Sequence, residues 1–391
     1  MNRLRLLPAI VSLFLLTACI PKLSSNTEVT QDLKETAQAE TTIIPSRQLS
    51  ENYYRTLIPY KESSTRGLVV SNLNTKYDMK EVENGLMRLS QREFDTSNYY
   101  FQEGQYLSAS TVKNWLARPN QTSKEAPNEQ GLNPSSLDAK TNTEMDPIVK
   151  AEKAPIYLSH IVEQNYLTKT DDNKVKLGGV SIGLALNSIY YYQKEQYGEF
   201  YEEPIEQAQL EKAGKAIAEE IITRLRARPE LADVPILVGL FRQEAKNSIV
   251  PGTYFSYAVS SAGSNNAGSW EGINERYVTF PMSSPDEKYR EINKEFQNFK
   301  QDVDTYFSNF TSVFGTGFYR NDGIQSLEIE IPIQFYGTAE LIGFTQYLTG
   351  VMLNTLPKDL AITVSITSVN GPEALIKKEP SNDEPFVHIY E

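Results

Sequence analysis

A single cysteine, Cys19, stands in a chain of 391 residues and sets the terms on which that chain folds. No disulfide can close within the molecule, so the fold depends on packing alone, whatever the redox state of its surroundings. With His160 and His388 as the only imidazoles, a zinc site of the usual Cys/His kind cannot be assembled, and neither metal nor cofactor is expected.

The position of the cysteine is equally informative. Ahead of it lie a basic tip (Arg3, Arg5) and an apolar run over 6–16, the layout of a secretory signal and too short for a permanent membrane span. Leu16-Thr17-Ala18-Cys19 places the thiol directly after a small residue with leucine three positions back, the order a bacterial lipoprotein signal needs. A diacylglyceryl group on Cys19 and a cut after Ala18 are expected, and two or more acyl chains such as palmitate anchor durably where one is marginal. The reading is a lipoprotein whose membrane partner is reached through its N-terminal lipid, on the extracytoplasmic face of the cell membrane.

A net charge of −12 and 40% hydrophobic residues describe an acidic, core-forming chain. Electrostatic binding to nucleic acid or anionic headgroups needs clustered positive charge, so nucleic acid is set aside.

Along the chain, 1–18 is the signal peptide and 19–50, rich in Ser, Thr, Glu and Gln, reads as a disordered tether reaching ~30 Å. A helix and hairpin subdomain follows over 51–118: a helix at 78–90 opened by an Asp78/Glu81 capping box, a hairpin over 99–107, and a helix capped by Ser110. Residues 119–154 read as a flexible insertion, broken only by Gly131-Leu132-Asn133-Pro134.

The remainder predicts two related units, 155–283 and 284–391, each helix-strand-helix-strand-strand with a mixed sheet. In the first, a helix at 155–167 precedes a strand alternating Val180, Ile182, Leu184 and Leu186, a helix at 208–228, and strands at 234–241 and 254–260. In the second, a long helix from Ser284-Pro285-Asp286-Glu287 carries Ile292, Phe296, Phe299, Val303, Phe307, Phe310 and Phe314 on one face. A strand alternating Leu327, Ile329, Ile331 and Ile333 follows, its Pro332 arguing for an edge or a bulge; then a helix capped by Thr338 and strands at 361–369 and 374–378. The fold class is α+β.

Chemistry is sparse. Gly179-Val180-Ser181-Ile182-Gly183 matches the G-x-S-x-G nucleophile elbow, but Ser181 opens a long alternating strand and no helix starts at Gly183, so no catalytic residue is assigned and no enzyme is expected. Asp171-Asp172-Asn173 lacks the glycine and glutamate of a calcium loop and reads as a polar turn. Arg224, Arg226 and Arg228 share no helix face and read as a solvated helix end. The aromatic residues stand out: 23 tyrosines, with Tyr190-Tyr191-Tyr192 followed by Tyr197 and Tyr201, suit sugar or peptide contacts. Trp270, near the end of a Gly/Ser/Asn/Ala loop over 261–272, is a second candidate ligand contact, with a docked plug as the alternative.

From Asn52 onward the chain resembles the CamS family of Gram-positive surface lipoproteins, the sex pheromone precursors. The resemblance rests on Tyr54-Arg55-Thr56-Leu57-Ile58-Pro59-Tyr60-Lys61-Glu62, Gly131-Leu132-Asn133-Pro134, Tyr157-Leu158-Ser159, SIGLALNSIYYYQK over 181–194, Tyr306-Phe307-Ser308-Asn309-Phe310-Thr311, Tyr336-Gly337-Thr338-Ala339-Glu340 and Val387-His388-Ile389-Tyr390. It implies a lipid-anchored ectodomain and a short apolar peptide cut from the signal, here residues 12–18 (SLFLLTA), that promotes conjugative plasmid transfer. The family's peptides begin Ala-Ile; this segment begins Ser-Leu. The expected role of the ectodomain is to bind or organise an envelope component, cell-wall glycan or a surface protein. An envelope enzyme acting on wall polymer and a solute-binding lipoprotein feeding a transporter are the alternatives.

Overall fold

The computed structural model describes residues 27–32, 39–119, 122–123, 126–127, 129–306, 312–334, 337–380 and 382–390. Ala18, Cys19 and the peptide 12–18 lie outside the described residues, as does the aromatic run at 307–311.

Strand structure begins inside the stretch expected to be a tether. β1 (Thr27–Asp32) and β2 (Ala39–Ile44) pair antiparallel, β1 also runs parallel to the start of β8 (Lys174–Asn187), and Val29, Thr42 and Ile44 are buried. The β-branched residues of these segments outweighed their low average hydrophobicity. β3 (Arg55–Thr56) comes next, then α1 (Val69–Asn72) and α2 (Lys76–Ser90). The N-cap of α2 is Thr75, not Asp78 paired with Glu81: the Thr75 hydroxyl accepts from the Asp78 N–H at 3.0 Å and donates to its carboxylate at 2.8 Å.

No hairpin forms at 99–107. β4 (Tyr100–Glu103) is a single strand, and the chain then bends around Glu163, whose carboxylate accepts from the N–H groups of Gln105, Tyr106 and Leu107. α3 (Ala109–Leu116) is capped by Ser108 rather than Ser110. After the short strands β5 (Thr122–Ser123) and β6 (Ala126–Pro127), the described part of the expected insertion is folded down: Asn133 is buried and bonds Leu158 in both directions at 2.9 Å, and Asp146 caps α4 (Pro147–Lys153).

The helix expected at 155–167 is a strand, β7 (Leu158–Lys169), nearly all of it buried. Covering both faces of a strand erases the two-residue alternation that would have revealed it. β8 follows, then β9 (Ile189–Gln193) and β10 (Phe200–Pro204), α5 (Gln207–Arg226), β11 (Ile236–Gln243), β12 (Thr253–Ser260) and β13 (Glu271–Gly272). The second half opens with β14 (Glu275–Phe280), which the sequence reading missed, and α6 (Arg290–Tyr306), so Phe314 starts β15 (Phe314–Arg320) instead of extending the helix. β16 (Gly323–Pro332), α7 (Thr338–Thr355, with Gly337 at its N-cap), β17 (Ala361–Ser368), β18 (Gly371–Lys378) and β19 (Phe386–Ile389) complete the chain. β16 lies between β15 and β17 rather than at an edge, and Pro332 falls past Glu330, where the ladder with β15 ends, so it interrupts no pairing on that side.

The two large sheets are ordered β13-β12-β11-β8-β7-β4-β3 and β14-β15-β16-β17-β18-β19. The second contains the run β14-α6-β15-β16-α7-β17-β18, and the first has the same order, β4-α3-β7-β8-α5-β11-β12, with β5, β6 and α4 inserted before β7 and the pair β9 and β10 inserted before α5. Within each run the strands are neighbours in chain order, and one pair is parallel, β8 with β11 and β16 with β17. A parallel neighbour needs a crossover, which α5 and α7 supply. The α+β class with mixed sheets therefore stands, while the unit is longer by one strand at its front and β3 and β4 belong to the first sheet rather than to a separate subdomain.

The first sheet is covered on both faces, by α3 and α5 over Ile182, Leu184 and Val238, and by α2 over Val162, Ala185 and Leu237. The second is covered on one face by α6 and α7, with Phe296, Phe299, Phe344 and Leu348 on Leu327, Ile329 and Val364, and exposes Glu328 and Glu330 on the other.

Candidate functional site

Tyr190, Tyr191 and Tyr192 lie on β9, which pairs with β10 in a two-stranded arm separate from both large sheets. Tyr192 faces Tyr201 across the pair and Tyr190 lies two residues along, so these three share one face. The rings form a ladder: Tyr190 and Tyr192 stack at 6.0 Å between centroids and 11°, and Tyr192 and Tyr201 lie 5.7 Å apart. The Lys194 ammonium sits 3.8 Å from the centre of the Tyr201 ring, an attractive cation–π placement. Tyr191 projects from the opposite face, with the Lys246 ammonium 4.1 Å above its ring and the Lys246 N–H donating to its hydroxyl at 3.0 Å. All five residues of β9 are half-buried, and beyond them Tyr197 and Phe200 are exposed, Tyr197 in the left-handed region at φ 66°. Flat rings carrying hydroxyls, ordered in advance, offer stacking surfaces and hydrogen bonds together.

Trp270 is not part of the ladder. It is half-buried against the core beside α5, with the Lys215 ammonium 5.4 Å from its ring, which is the docked-plug arrangement. Its loop is held by Arg226, which the sequence reading left in solvent. The guanidinium is buried and donates to the carbonyls of Leu231, Ala232, Val234, Ser260, Ser261 and Ser264. Arg224 and Arg228 are also engaged: Arg224 donates to Glu220 at 2.8 Å and to the Gln130 carbonyl at 2.7 Å, and Arg228 donates to the Tyr106 carbonyl. Backbone geometry turns these three alternate arginines in different directions, Arg228 lying past the end of α5, and each meets its own acceptors.

Ser181 is fully buried in β8 and accepts from the Ser90 hydroxyl at 2.7 Å. The flanking glycines have a packing reason. A Cβ on Gly179 would lie 2.2 Å from the Phe94 ring and one on Gly183 2.3 Å from the Tyr254 hydroxyl, so G-x-S-x-G here records close approach of aromatic residues to a sheet. Asp171 and Asp172 occupy the turn between β7 and β8.

A cleft lies away from all of these residues. It lies over β4 and β7, under α2 and the segment entering α1, with a volume of about 220 Å³. Its charged lining is Arg66 with three carboxylates, Glu83, Glu103 and Glu163, and His160 and Gln164 stand among the uncharged polar groups beside them. Glu103 accepts from the Arg66 guanidinium and from the Ser63 N–H, both at 2.7 Å, and Arg66 also donates to the Tyr60 hydroxyl at 2.8 Å. Burial holds the His160 imidazole down at about 4, so the ring is neutral near neutral pH. Partial enclosure and the neighbouring Glu103 push the Glu83 carboxyl up. The signal available in the sequence was polar residues within an apolar strand, His160 and Gln164 among Leu158, Ile161, Val162, Tyr166 and Leu167, which a helical reading concealed.

The family described as CamS sex pheromone cAM373 precursor matches residues 60–384. Among solved structures, a sex pheromone precursor from Lactobacillus salivarius subsp. salivarius UCC118 is 31% identical, with 88% of this chain and 98% of that chain covered and a TM-score of 0.78. The C-terminal domain of the sex pheromone staph-cAM373 precursor from Staphylococcus aureus is 32% identical, covering 82% and 98% of the two chains with a TM-score of 0.69. No curated protein matches.

Proposed function

The chain belongs to the CamS family of sex pheromone precursors, and from that premise we propose that it is one precursor with two products. The signal, cut after Ala18, yields residues 12–18 as a short apolar peptide. The remainder is a lipoprotein held by Cys19 on the outer face of a Gram-positive membrane, and its ectodomain binds cell-wall glycan without catalysis. No helix among the described residues is long and apolar enough to cross a membrane, in keeping with attachment through the leader's cysteine. The burial of Ser181 supports a binding role over a hydrolytic one. Sheets dominated by antiparallel pairs speak against the doubly wound parallel lobes of a solute-binding lipoprotein.

The observation that carries the binding role is the Tyr190–Tyr192–Tyr201 ladder: three rings in register on an arm that contributes no strand to either large sheet, anchored at the Tyr190 end by packing on the first sheet's core and partly exposed at Tyr192 and Tyr201. Co-sedimentation of the full chain, in detergent, with isolated Gram-positive cell walls tests it. Wild type should pellet; combined replacement of the three tyrosines by alanine should weaken binding by about tenfold or more, the loss of two or three stacking contacts. Trp270→Ala should not weaken it. Equal pelleting by the triple variant would remove the arm from the account.

A further inference from the structure

Four strands end the two large sheets: β3, β13, β14 and β19. β3 and β13 are two residues long, and the outer side of β14 lies against β12, where the Thr253 hydroxyl donates to the Glu275 carbonyl at 3.0 Å. β19 is left open. It ends the second sheet beside β18, with Phe386, Val387 and Tyr390 exposed at 62%, 42% and 40%. Natural sheets guard such an edge with a lysine, a proline or a bulge. Phe386-Val387-His388-Ile389-Tyr390 has none of these and no Arg, Asp or Glu either.

The backbone decides what this edge accepts. The Tyr390 N–H donates to the Glu373 carbonyl at 2.9 Å, and the antiparallel register continues from Ala374 opposite Ile389 to Lys377 opposite Phe386. Alternate residues of an antiparallel strand turn their N–H and C=O to the same neighbour. Phe386, His388 and Tyr390 therefore bond β18, while Val387 and Ile389 turn theirs outward, where no strand of the described residues meets them. The side chains divide in the same way. Phe386, His388 and Tyr390 form a row of rings on the sheet's open face, with centroids 6.4 Å and 4.7 Å apart, and Val387 and Ile389 point to the helix-covered face, where Ile389 packs on the core. Outward backbone groups call for an extended strand, and an edge without Lys, Arg, Asp or Glu gives a charged strand nothing to pair with. A second copy of β19 matches at every position. About a two-fold axis at His388, Phe386 lies opposite the partner's Tyr390 and Val387 opposite the partner's Ile389, so apolar side chains meet on both faces. Val387 and the partner's Ile389 exchange both N–H···O bonds, and symmetry repeats the exchange. With the axis at Val387 instead, Pro385 would face Ile389 without an N–H to give.

We propose that β19 pairs antiparallel with β19 of a second copy of this chain, His388 on the two-fold axis, so that the two six-stranded sheets continue into one another. A strand this short makes a small interface, of the weak and transient class.

Cysteine crosslinking of the full chain in detergent, under mild oxidant, tests the pairing. Across the axis the two His388 Cα atoms would lie about 4.5 Å apart, within reach of a disulfide, whereas the two copies of Val387 would sit diagonally at about 7–8 Å. His388→Cys should therefore give a disulfide-linked dimer about fivefold or more stronger than Val387→Cys. It should exceed Val369→Cys by as much, a position 88% exposed between β17 and β18 that gauges random collision. The wild-type chain, with Cys19 alone, sets the baseline. Adding Val387→Pro to His388→Cys should reduce the dimer about fivefold, because it removes an outward N–H and leaves the ladder to β18 intact, with far-UV circular dichroism unchanged. Should that variant not fold, the contrast between positions 388 and 387 decides alone. Equal dimer from His388→Cys, Val387→Cys and Val369→Cys, or dimer that survives Val387→Pro, would overturn the proposal. No dimer from His388→Cys above the baseline would overturn it too and leave the edge to a strand of another protein.

Discussion

The Arg88 guanidinium on α2 donates to the Glu275 carboxylate on β14 at 2.8 Å, and this ion pair crosses from the first sheet's covering helix to the second sheet. Arg88 also bonds Glu81 at 2.6 Å and lies 4.7 Å from the Phe318 ring centre, while Glu275, 7% exposed, takes a second arginine, Arg320, at 3.0 Å. Charges this enclosed are costly to leave unmatched, and removing one partner typically costs about 3 kcal/mol or more. Glu275→Gln should therefore lower stability by about 3 kcal/mol in urea titration. A loss below about 1 kcal/mol, the range of exposed pairs, would mean that the seam is held by its apolar contacts alone.

Arg226 should tolerate no conservative exchange. A planar guanidinium reaches six carbonyls because its five donors lie in a fixed fork, and an ammonium has three donors on one atom. Arg226→Lys leaves several buried carbonyls short of a donor, at a cost of about 2–4 kcal/mol. The Trp270 ring should become more exposed, red-shifting tryptophan emission. Unchanged emission and an unchanged unfolding midpoint would show that the loop holds itself.

The pH dependence of stability should carry the mark of His160. Its folded-state value is depressed from 6.5 to about 4, so as pH falls from 6.5 towards 4 the unfolded chain gains a proton that the folded chain refuses. Stability contributed above pH 6.5 is lost across that window, on the order of 3 kcal/mol. Asp78 and Glu163, whose carboxyls burial pushes up, work in the opposite direction by taking protons more readily when folded. The difference between wild type and His160→Gln isolates the imidazole: the variant's stability should fall less steeply between pH 6.5 and 4. Parallel curves would contradict the depressed value.

What could be read from the sequence followed from how exposed each pattern was. The alternation of Leu327, Ile329 and Ile331 with Glu328 and Glu330 placed β16 because its sheet has one open face. β7, buried on both faces, offers no alternation, so its apolar run fits a helix as readily as a strand. The helix expected to reach Phe314 overran because aromatic residues spaced for one face continue past its end at Tyr306, and spacing alone carries no stop signal. Of the site, the tyrosine run was visible as composition, but its division into a ladder and an opposite face required the partner strand β10. The cleft was hidden because its lining comes from four segments, and Arg226 because its acceptors are backbone carbonyls, which no side-chain pattern records.

Attachment through Cys19 predicts that Cys19→Ala abolishes incorporation of labelled palmitate and moves the protein out of the membrane fraction or leaves it unprocessed. Palmitate entering the alanine variant would place the lipid on another residue.

That the leader and the ectodomain have separable roles is tested most directly by exchanging residues 1–18 for a foreign lipoprotein signal and assaying three quantities together. These are conjugation-inducing activity in the medium, abundance of the anchored protein, and its binding to cell walls. The exchange should abolish the activity in the medium while abundance and wall binding stay at wild-type levels, because the peptide comprises only residues 12–18 and every described element of the fold lies beyond Cys19. Reproduction of the whole-chain deletion phenotype by the exchange alone, at normal abundance, would contradict the separation and leave the ectodomain without a role of its own.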